Sequence, residues 1–309
     1  MTTSILVEEP VITARGLTKR YGAVDALRGI DVEVRRGEVV ALLGPNGAGK
    51  TTVLEILEGF AEPSAGEVKV LGCDPSHAGR ALRERIGVVL QESQPEPGLT
   101  VLESIELYAG YYAAPRDVGE TIALVGLTSE AGRLGEQLSG GQQRRLDVAL
   151  GLIGDPELLF LDEPTTGFDP SARRSAWRMV EGLKALGRTI VLTTHYMEEA
   201  ERLADRIVVL ADGRVVADAA PGMLGGRDHA AATIRFTLPS GQATRPLPLG
   251  VQPADVARDG TVTVCTERPL QAVHELAEWA LPQGLELRDL EVRRPVLEDV
   301  YLALTDGGR

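Results

Sequence analysis

The chain has 309 residues, of which 43% are hydrophobic and 25% charged, a composition that supports one large folded domain and a smaller one. Its formal net charge of −13 argues against general nucleic-acid binding, because a phosphate backbone rewards a basic surface. No apolar run is long enough to cross a bilayer, and the start MTTSILVEEP has neither a basic head nor a signal-like apolar core, so a soluble protein that stays where it is made is expected.

The opening VITARGLTKRYGAVDALRGIDVEVRRGE alternates apolar and polar residues in short runs bounded by glycine, the pattern of antiparallel strands. Tyr21 sits among them, and an aromatic ring here could stack on a nucleotide base, although by itself it reads first as an ordinary surface tyrosine. Then VVALL reads as a buried strand, and it breaks into GPNGAGKTT. The spacing of Gly44, Gly49, Lys50 and Thr51 matches the nucleoside-triphosphate loop. Gly44, Gly47 and Gly49 are expected to take positive φ, so that N–H groups of the loop, with Pro45, Asn46 and Ala48 between them, turn inward on phosphate oxygens. The loop opens the helix VLEILEGF, whose N-terminus favours an anion. Lys50 is expected to reach the β- and γ-phosphates, Thr51 to ligate Mg²⁺ and Thr52 to bind phosphate.

AGEVKVLG reads as a strand and turn, and ALRERIGVVLQ as a short helix running into a strand that ends at Gln91. From about 92 to 154 the chain reads almost wholly helical, an insert in the sheet domain, with Tyr108, Tyr111 and Tyr112 as core or partner-facing side chains. The insert ends in LSGGQ, where Ser139, Gly140, Gly141 and Gln142 form a second glycine-rich turn opening a second helix, again a natural anion site.

PELLFLDE then reads as a continuous buried strand that delivers Asp162 and Glu163 at its C-terminal end, where an α/β site expects carboxylates. Asp162 suits a Mg²⁺ partner, directly or through water. Glu163 suits a general base or a water-orienting group. The helix ARRSAWRMVEGLKALG and the strand RTIVLTT follow, the strand stopping at His195; MEEAERLAD reads as a short helix and RIVVLADGRVVADAAP as a hairpin turning at Asp212–Gly213. PGMLGGRD is a linker, so one domain is placed at 1–221 and a small α/β domain of alternating strands and two amphipathic helices at 222–309. Cys73 and Cys265 lie far apart without metal-type spacing and read as packed small residues in a reducing compartment.

Taken together, Tyr21, GPNGAGKT, Gln91, LSGGQ, LLFLDE and His195 resemble the ATP-binding subunits of ABC transporters, and the likeness covers nearly the whole chain. One departure is TGFD where many members read SALD; Asp169 keeps the final position. That variant, THYMEEAERLADRI and the terminal VLEDVYLALT are similar to the daunorubicin-resistance type of exporter ATPase. The resemblance implies a P-loop NTPase fold with an antiparallel β subdomain, a helical insert and the C-terminal accessory domain. It further implies ATP and Mg²⁺, with Gln91 sensing the metal and the attacking water, Glu163 polarising that water, His195 holding the γ-phosphate and Asp169 coupling two sites. Two copies, or one copy and a second ATPase domain, would pair head to tail on the cytoplasmic face of the membrane, each ATP between the loop of one and the LSGGQ turn of the other. A separate transmembrane permease would dock on the insert near Gln91. A soluble ABC-type ATPase acting on ribosomes or DNA and an importer subunit are the rival readings; the acidic charge and single cassette speak against the first, the terminal domain and THYMEEAE against the second.

Overall fold

The computed structural model describes residues 9–91, 96–226, 231–239, 247–248, 253–257, 259–294 and 297–306. It separates into two compact units, Met1–Pro221 and Gly222–Arg309. In the first, β1 (Ile12–Tyr21) pairs antiparallel with β2 (Val24–Val34), and β3 (Val39–Leu43) leads into α1 (Lys50–Glu58). Next come β4 (Ala65–Val70), α2 (Gly79–Arg83) and β5 (Ile86–Val89). The β5 strand thus stops two residues short of Gln91, and Leu90 and Gln91 leave the sheet edge.

The insert holds α3 (Val101–Ala109), α4 (Val118–Leu124) and α5 (Gly140–Leu152), with two 3-10 turns between the last two. It is less helical than its periodicity suggests, because Gly110 closes α3 and Pro115 stands before the next helix. Each helix starts on a side-chain cap written in the sequence. Thr100 and Ser139 form capping boxes with Glu103 and Gln142, and Asp117 accepts from the Glu120 N–H. Such caps stabilise by about 1 kcal/mol each.

The chain then continues through β6 (Leu158–Asp162), α6 (Pro170–Ala185), β7 (Thr189–Thr194), α7 (Met197–Leu203) and the hairpin β8 (Arg206–Ala211) and β9 (Arg214–Ala219). Asp212 and Gly213 both take positive φ in that turn, as its type requires. The strands form a three-stranded sheet in the order β2-β1-β4 and a six-stranded sheet in the order β5-β6-β7-β3-β8-β9, parallel except for β9. Between the sheets, Val53, Leu54, Ile56 and Leu57 of α1 share one core with Leu17, Leu27 and Ile30 on one side and Leu42, Phe160 and Val191 on the other. Burying each such side chain contributes about 1.5–3 kcal/mol, which holds the helix that follows the phosphate loop rigidly in place.

In the second unit β10 (Ala232–Thr237), β11 (Pro253–Val256), β12 (Thr261–Thr266) and β13 (Arg288–Arg293) form an antiparallel sheet in the order β11-β12-β10-β13. The helix α8 (Pro269–Ala280) covers one face, packing Ala272 and Leu276 on Ile234, Phe236, Val262 and Val264; α9 (Leu297–Asp306) closes the unit. Strand alternation puts Cys265 on the other face, exposed, so it is not the packed small residue its type suggests; Cys73 is half-buried. Of the insert's tyrosines, Tyr111 is largely exposed and meets Tyr108 edge to face, while Tyr112 lies against Gly154. Among the described residues no helix is long and apolar enough to cross a membrane.

Candidate nucleotide site

The loop between β3 and α1 is shaped by what its glycines avoid. A Cβ on Gly44 would meet the Leu210 carbonyl at 2.5 Å, so this residue is needed for a close approach to β8; its φ is not positive, against the expectation from composition. Gly49 does take positive φ, 105°, and a Cβ there would strike Leu27 and the Ala26 carbonyl. Gly47 is also positive at 82°. Gly49 stands at the N-cap of α1 without a side chain, so no side chain caps the first turn. A run of loop amides followed by an uncapped helix N-terminus is an anion cradle.

Around this cradle lies a cavity of about 840 Å³. Asn46, Gly47, Gly49, Lys50, Thr51 and Thr52 line one side of it. Tyr21, Gln91, Glu163, Thr166, His195 and the hairpin residues Asp212 and Gly213 also line it. The structure therefore brings together residues from six separate stretches that the sequence reading singled out. Lys50 is buried, its Nζ donating to the carbonyls of Gly44 at 2.9 Å and Pro45 at 3.2 Å, and it faces Glu163 Oε1 at 3.6 Å. Tyr21, at the end of β1, is about half exposed; its hydroxyl donates to Glu55 and the Lys19 ammonium sits 4.8 Å from the ring centre.

Glu163 lies one residue beyond β6 with φ 45°, a conformation that L-residues seldom adopt and that costs on the order of 1–3 kcal/mol. Its N–H donates to Thr193 Oγ1 at 2.9 Å, and Oε2 accepts from the Thr166 hydroxyl at 2.8 Å. His195 Nδ1 comes within 3.3 Å of the same Oε2, a close contact without hydrogen-bond geometry. Burial pushes the Glu163 carboxyl up, but the Thr166 hydroxyl, His195 and Lys50 together outweigh it and hold it below the usual carboxylate range. The carboxylate is therefore charged at neutral pH. His195 is oriented in turn: its ring lies 4.1 Å from that of Tyr196, over which the Arg173 guanidinium stacks at 4.3 Å.

Asp162 is buried just behind the cavity, its Oδ1 accepting a short hydrogen bond from the Thr193 hydroxyl. Thr193 was not singled out in the sequence, yet it binds both neighbouring acids; the in-register pairing of Asp162 with Thr193 across β6 and β7 is what places it there. The hydroxyl of Thr51, the amide of Gln91 and the carboxylate of Asp162 are hard oxygen donors, a set whose chemistry fits Mg²⁺ and that would hold it. Among the described residues no group of three or more His, Cys, Asp or Glu side chains forms a protein-only metal cage.

The second glycine turn sits elsewhere. Ser139 caps α5, and Ser139, Gly141, Gln142, Arg145, Phe168 and Asp169 line a cavity of about 250 Å³ between α5 and α6 that shares no lining residue with the first. Asp169 caps α6, accepting from the N–H groups of Ser171 at 2.7 Å and Ala172 at 3.0 Å, and these bonds hold its carboxyl below the usual range. One copy of the chain thus carries two glycine-rich turns that open into different cavities.

Known proteins resemble the chain over most of its length. Residues 27–166 match the ABC transporter family, and 232–296 match an ABC transporter domain-containing protein-like C-terminal domain. The chain is 38% identical over 309 residues to the daunorubicin resistance ATP-binding protein DrrA3 of Streptomyces coeruleorubidus, covering 97% of this chain and 98% of that one. It is 39% identical over 312 residues to a Nod factor export ATP-binding protein I of Ralstonia nicotianae, covering 96% and 94%. Among solved structures, the ATP-binding subunit of an ABC transporter superposes with a TM-score of 0.62 at 27% identity over 69% of this chain and 90% of that one. A dimeric post-hydrolysis cassette, MJ0796 bound to ADP and Pi, superposes with a TM-score of 0.60 at 29% identity over 68% and 98%.

Proposed function

The chain belongs to the ABC transporter ATPases of exporter type, and we propose that it powers outward transport of a drug, lipid or other small molecule through a separate membrane permease, as one half of a head-to-tail ATPase dimer. The observation that carries the dimer is the separation of the two turns: the Lys50 loop and the Ser139 turn line different cavities of the same copy. A single nucleotide meets both motifs when a second copy presents its Ser139 turn to the Lys50 loop of the first. Two helix N-termini then face one γ-phosphate from opposite sides.

Within each composite site, Tyr21 stacks on the adenine, and the amides of Gly44 to Gly49 with Lys50 and Thr52 hold the triphosphate. Thr51, Gln91 and Asp162 would hold Mg²⁺, which would supply neutralisation of the triphosphate charge. Glu163, charged and held by Thr166, accepts a hydrogen bond from the attacking water and aligns it. His195 donates to the γ-phosphate oxygens, its ring steadied by Tyr196. Ser139, Gly140, Gly141 and Gln142 of the partner copy close the far side, and Asp169 of each copy links the two sites. Hydrolysis here requires positioning and charge neutralisation rather than covalent chemistry by the protein.

In this reading the permease is a separate membrane chain and the ATPase sits on its cytoplasmic face; among the described residues no helix is long and apolar enough to cross a membrane. Leu102, Leu107 and Tyr111 on and just after α3 are exposed, an apolar surface on the insert suited to a cytoplasmic helix of that permease. The test is affinity purification of the tagged Glu163→Gln chain from detergent-solubilised membranes in Mg-ATP, with mass spectrometry of what comes with it. A multi-span protein at equal stoichiometry is expected; ribosomal proteins or nucleic acid in its place would overturn the reading.

A further inference from the structure

We infer that Arg144 is a positioning residue that holds the strained backbone of Glu163 and ties it to the segment entering Gln91, a role that rests on the reading of Glu163 as the water-aligning carboxylate. Arg144 lies on α5, five residues beyond Ser139, and is buried. Its guanidinium donates from all three nitrogens to main-chain carbonyls. Nη2 reaches Asp162 at 2.7 Å and Nε reaches Pro164 at 3.4 Å, the residues on either side of Glu163, while Nη1 donates to Leu90, the residue before Gln91.

The positive φ of Glu163 needs this grip. With the N–H of Glu163 donating to Thr193, three successive residues are fixed by groups from α5 and β7. The next residue is held as well: the Thr165 hydroxyl donates at 2.8 Å to Oε1 of Glu199, a fully buried carboxylate on α7 that also accepts from the Trp177 indole at 2.9 Å. Asp147, Asp162 and Glu199 supply the negative charge that lets a guanidinium stay buried. Only a planar fork with several donors bridges carbonyls from two chain segments at once; an ammonium is a compact point charge. Because the Ser139 turn opens the same helix, a displacement of α5 acts on the flanks of Glu163 and on Leu90 through one rigid group. Nucleotide contact at the Ser139 turn of one site is thereby linked to the water-aligning group of the other.

The experiment compares the full chain with Arg144→Met and Arg144→Lys. Amide hydrogen exchange, which requires no turnover, should quicken in peptides holding Leu90–Gln91 and Asp162–Thr166 while peptides of the Gly44–Thr52 loop keep their wild-type protection. In ATP hydrolysis, kcat should fall about tenfold to a hundredfold with KM for ATP nearly unchanged, and lysine should restore little of it. In the Glu163→Gln background the added Arg144→Met should leave the residual rate where it was, since Arg144 acts through Glu163. Arg144→Lys keeps the charge and carries the same comparison should the methionine variant not fold. Wild-type exchange at 162–166 would overturn the inference, as would exchange rising evenly across the fold or a full additional loss in the double variant. Wild-type turnover in Glu163→Gln alone would instead remove the reading of Glu163 and leave the exchange result to stand by itself.

Discussion

Lys50 and Glu163 face each other across the nucleotide cleft, Nζ 3.6 Å from Oε1, with side chains only 5% and 10% exposed. The cation of the phosphate loop and the carboxylate at the end of β6 thus neutralise each other in a site where isolated charges would be costly to bury. The pair sets what each substitution should do.

Glu163→Gln keeps the size and one hydrogen-bond acceptor but removes the charge that aligns water. Turnover is expected to fall by about a hundredfold or more, with ATP affinity retained and a nucleotide-bound dimer accumulating on gel filtration. Hydrolysis at the wild-type rate would take Glu163 out of its role.

Lys50→Ala removes the buried cation that is poised at the loop carbonyls of Gly44 and Pro45. Charged hydrogen bonds of this kind are worth about 1.5–3 kcal/mol, so ATP affinity should drop about tenfold to a hundredfold. Calorimetric titration of ATP reads this directly, and an unaltered Kd would mean that the loop does not hold the triphosphate through Lys50.

Head-to-tail pairing makes a mixing experiment decisive. Ser139→Arg blocks the second turn, and Lys50→Ala cripples the first; each homodimer has two defective sites. In a mixed dimer one site combines both defects and the other has an intact Lys50 loop facing an intact Ser139 turn. Mixing the two inactive chains should therefore restore part of the ATPase activity. If mixing restores nothing while cross-linking proves that mixed dimers form, the two motifs do not share a nucleotide across the interface.

Glu157, just before β6, receives Arg85 Nε at 2.6 Å and Arg36 Nη1 at 3.0 Å, and the Arg85 bond chiefly holds its carboxyl below the usual range. A carboxyl depressed in the folded chain adds stability above its unfolded pKa, and that stability is lost as pH falls through the lower folded value. Glu157→Gln should therefore lower Tm by about 2–4 °C at pH 7, a modest effect because the pair is partly exposed to solvent. The difference from wild type should shrink as pH drops below the ordinary carboxylate range. Melting curves at pH 7 and pH 3.5 check this; an equal gap at both would assign the loss to packing rather than charge.

Much of the cleft was legible from the chain because its chemistry is local. LLGPNGAGKTT is contiguous, and a phosphate cradle is a property of consecutive amides, so the strand, loop and helix were all readable. The Asp212–Gly213 turn was readable for the same reason; the capping boxes at Thr100 and Ser139 and the cap at Asp169 are equally short-range but were found only in the structure. What the sequence could not specify is which of its segments become neighbours. Thr193 binds both acids only because β6 and β7 pair in register, and Arg144 reaches Leu90, Asp162 and Pro164 only because α5 packs against the edge of the sheet beside β5. Gly44 was assigned a backbone freedom it does not use, since its constraint is the Leu210 carbonyl on a strand far along the chain. Residue types and short spacings determined the phosphate loop, the second turn and the paired acids; their burial, mutual charge compensation and separation into two cavities were decided by strand order and helix packing, which depend on contacts between residues remote in sequence.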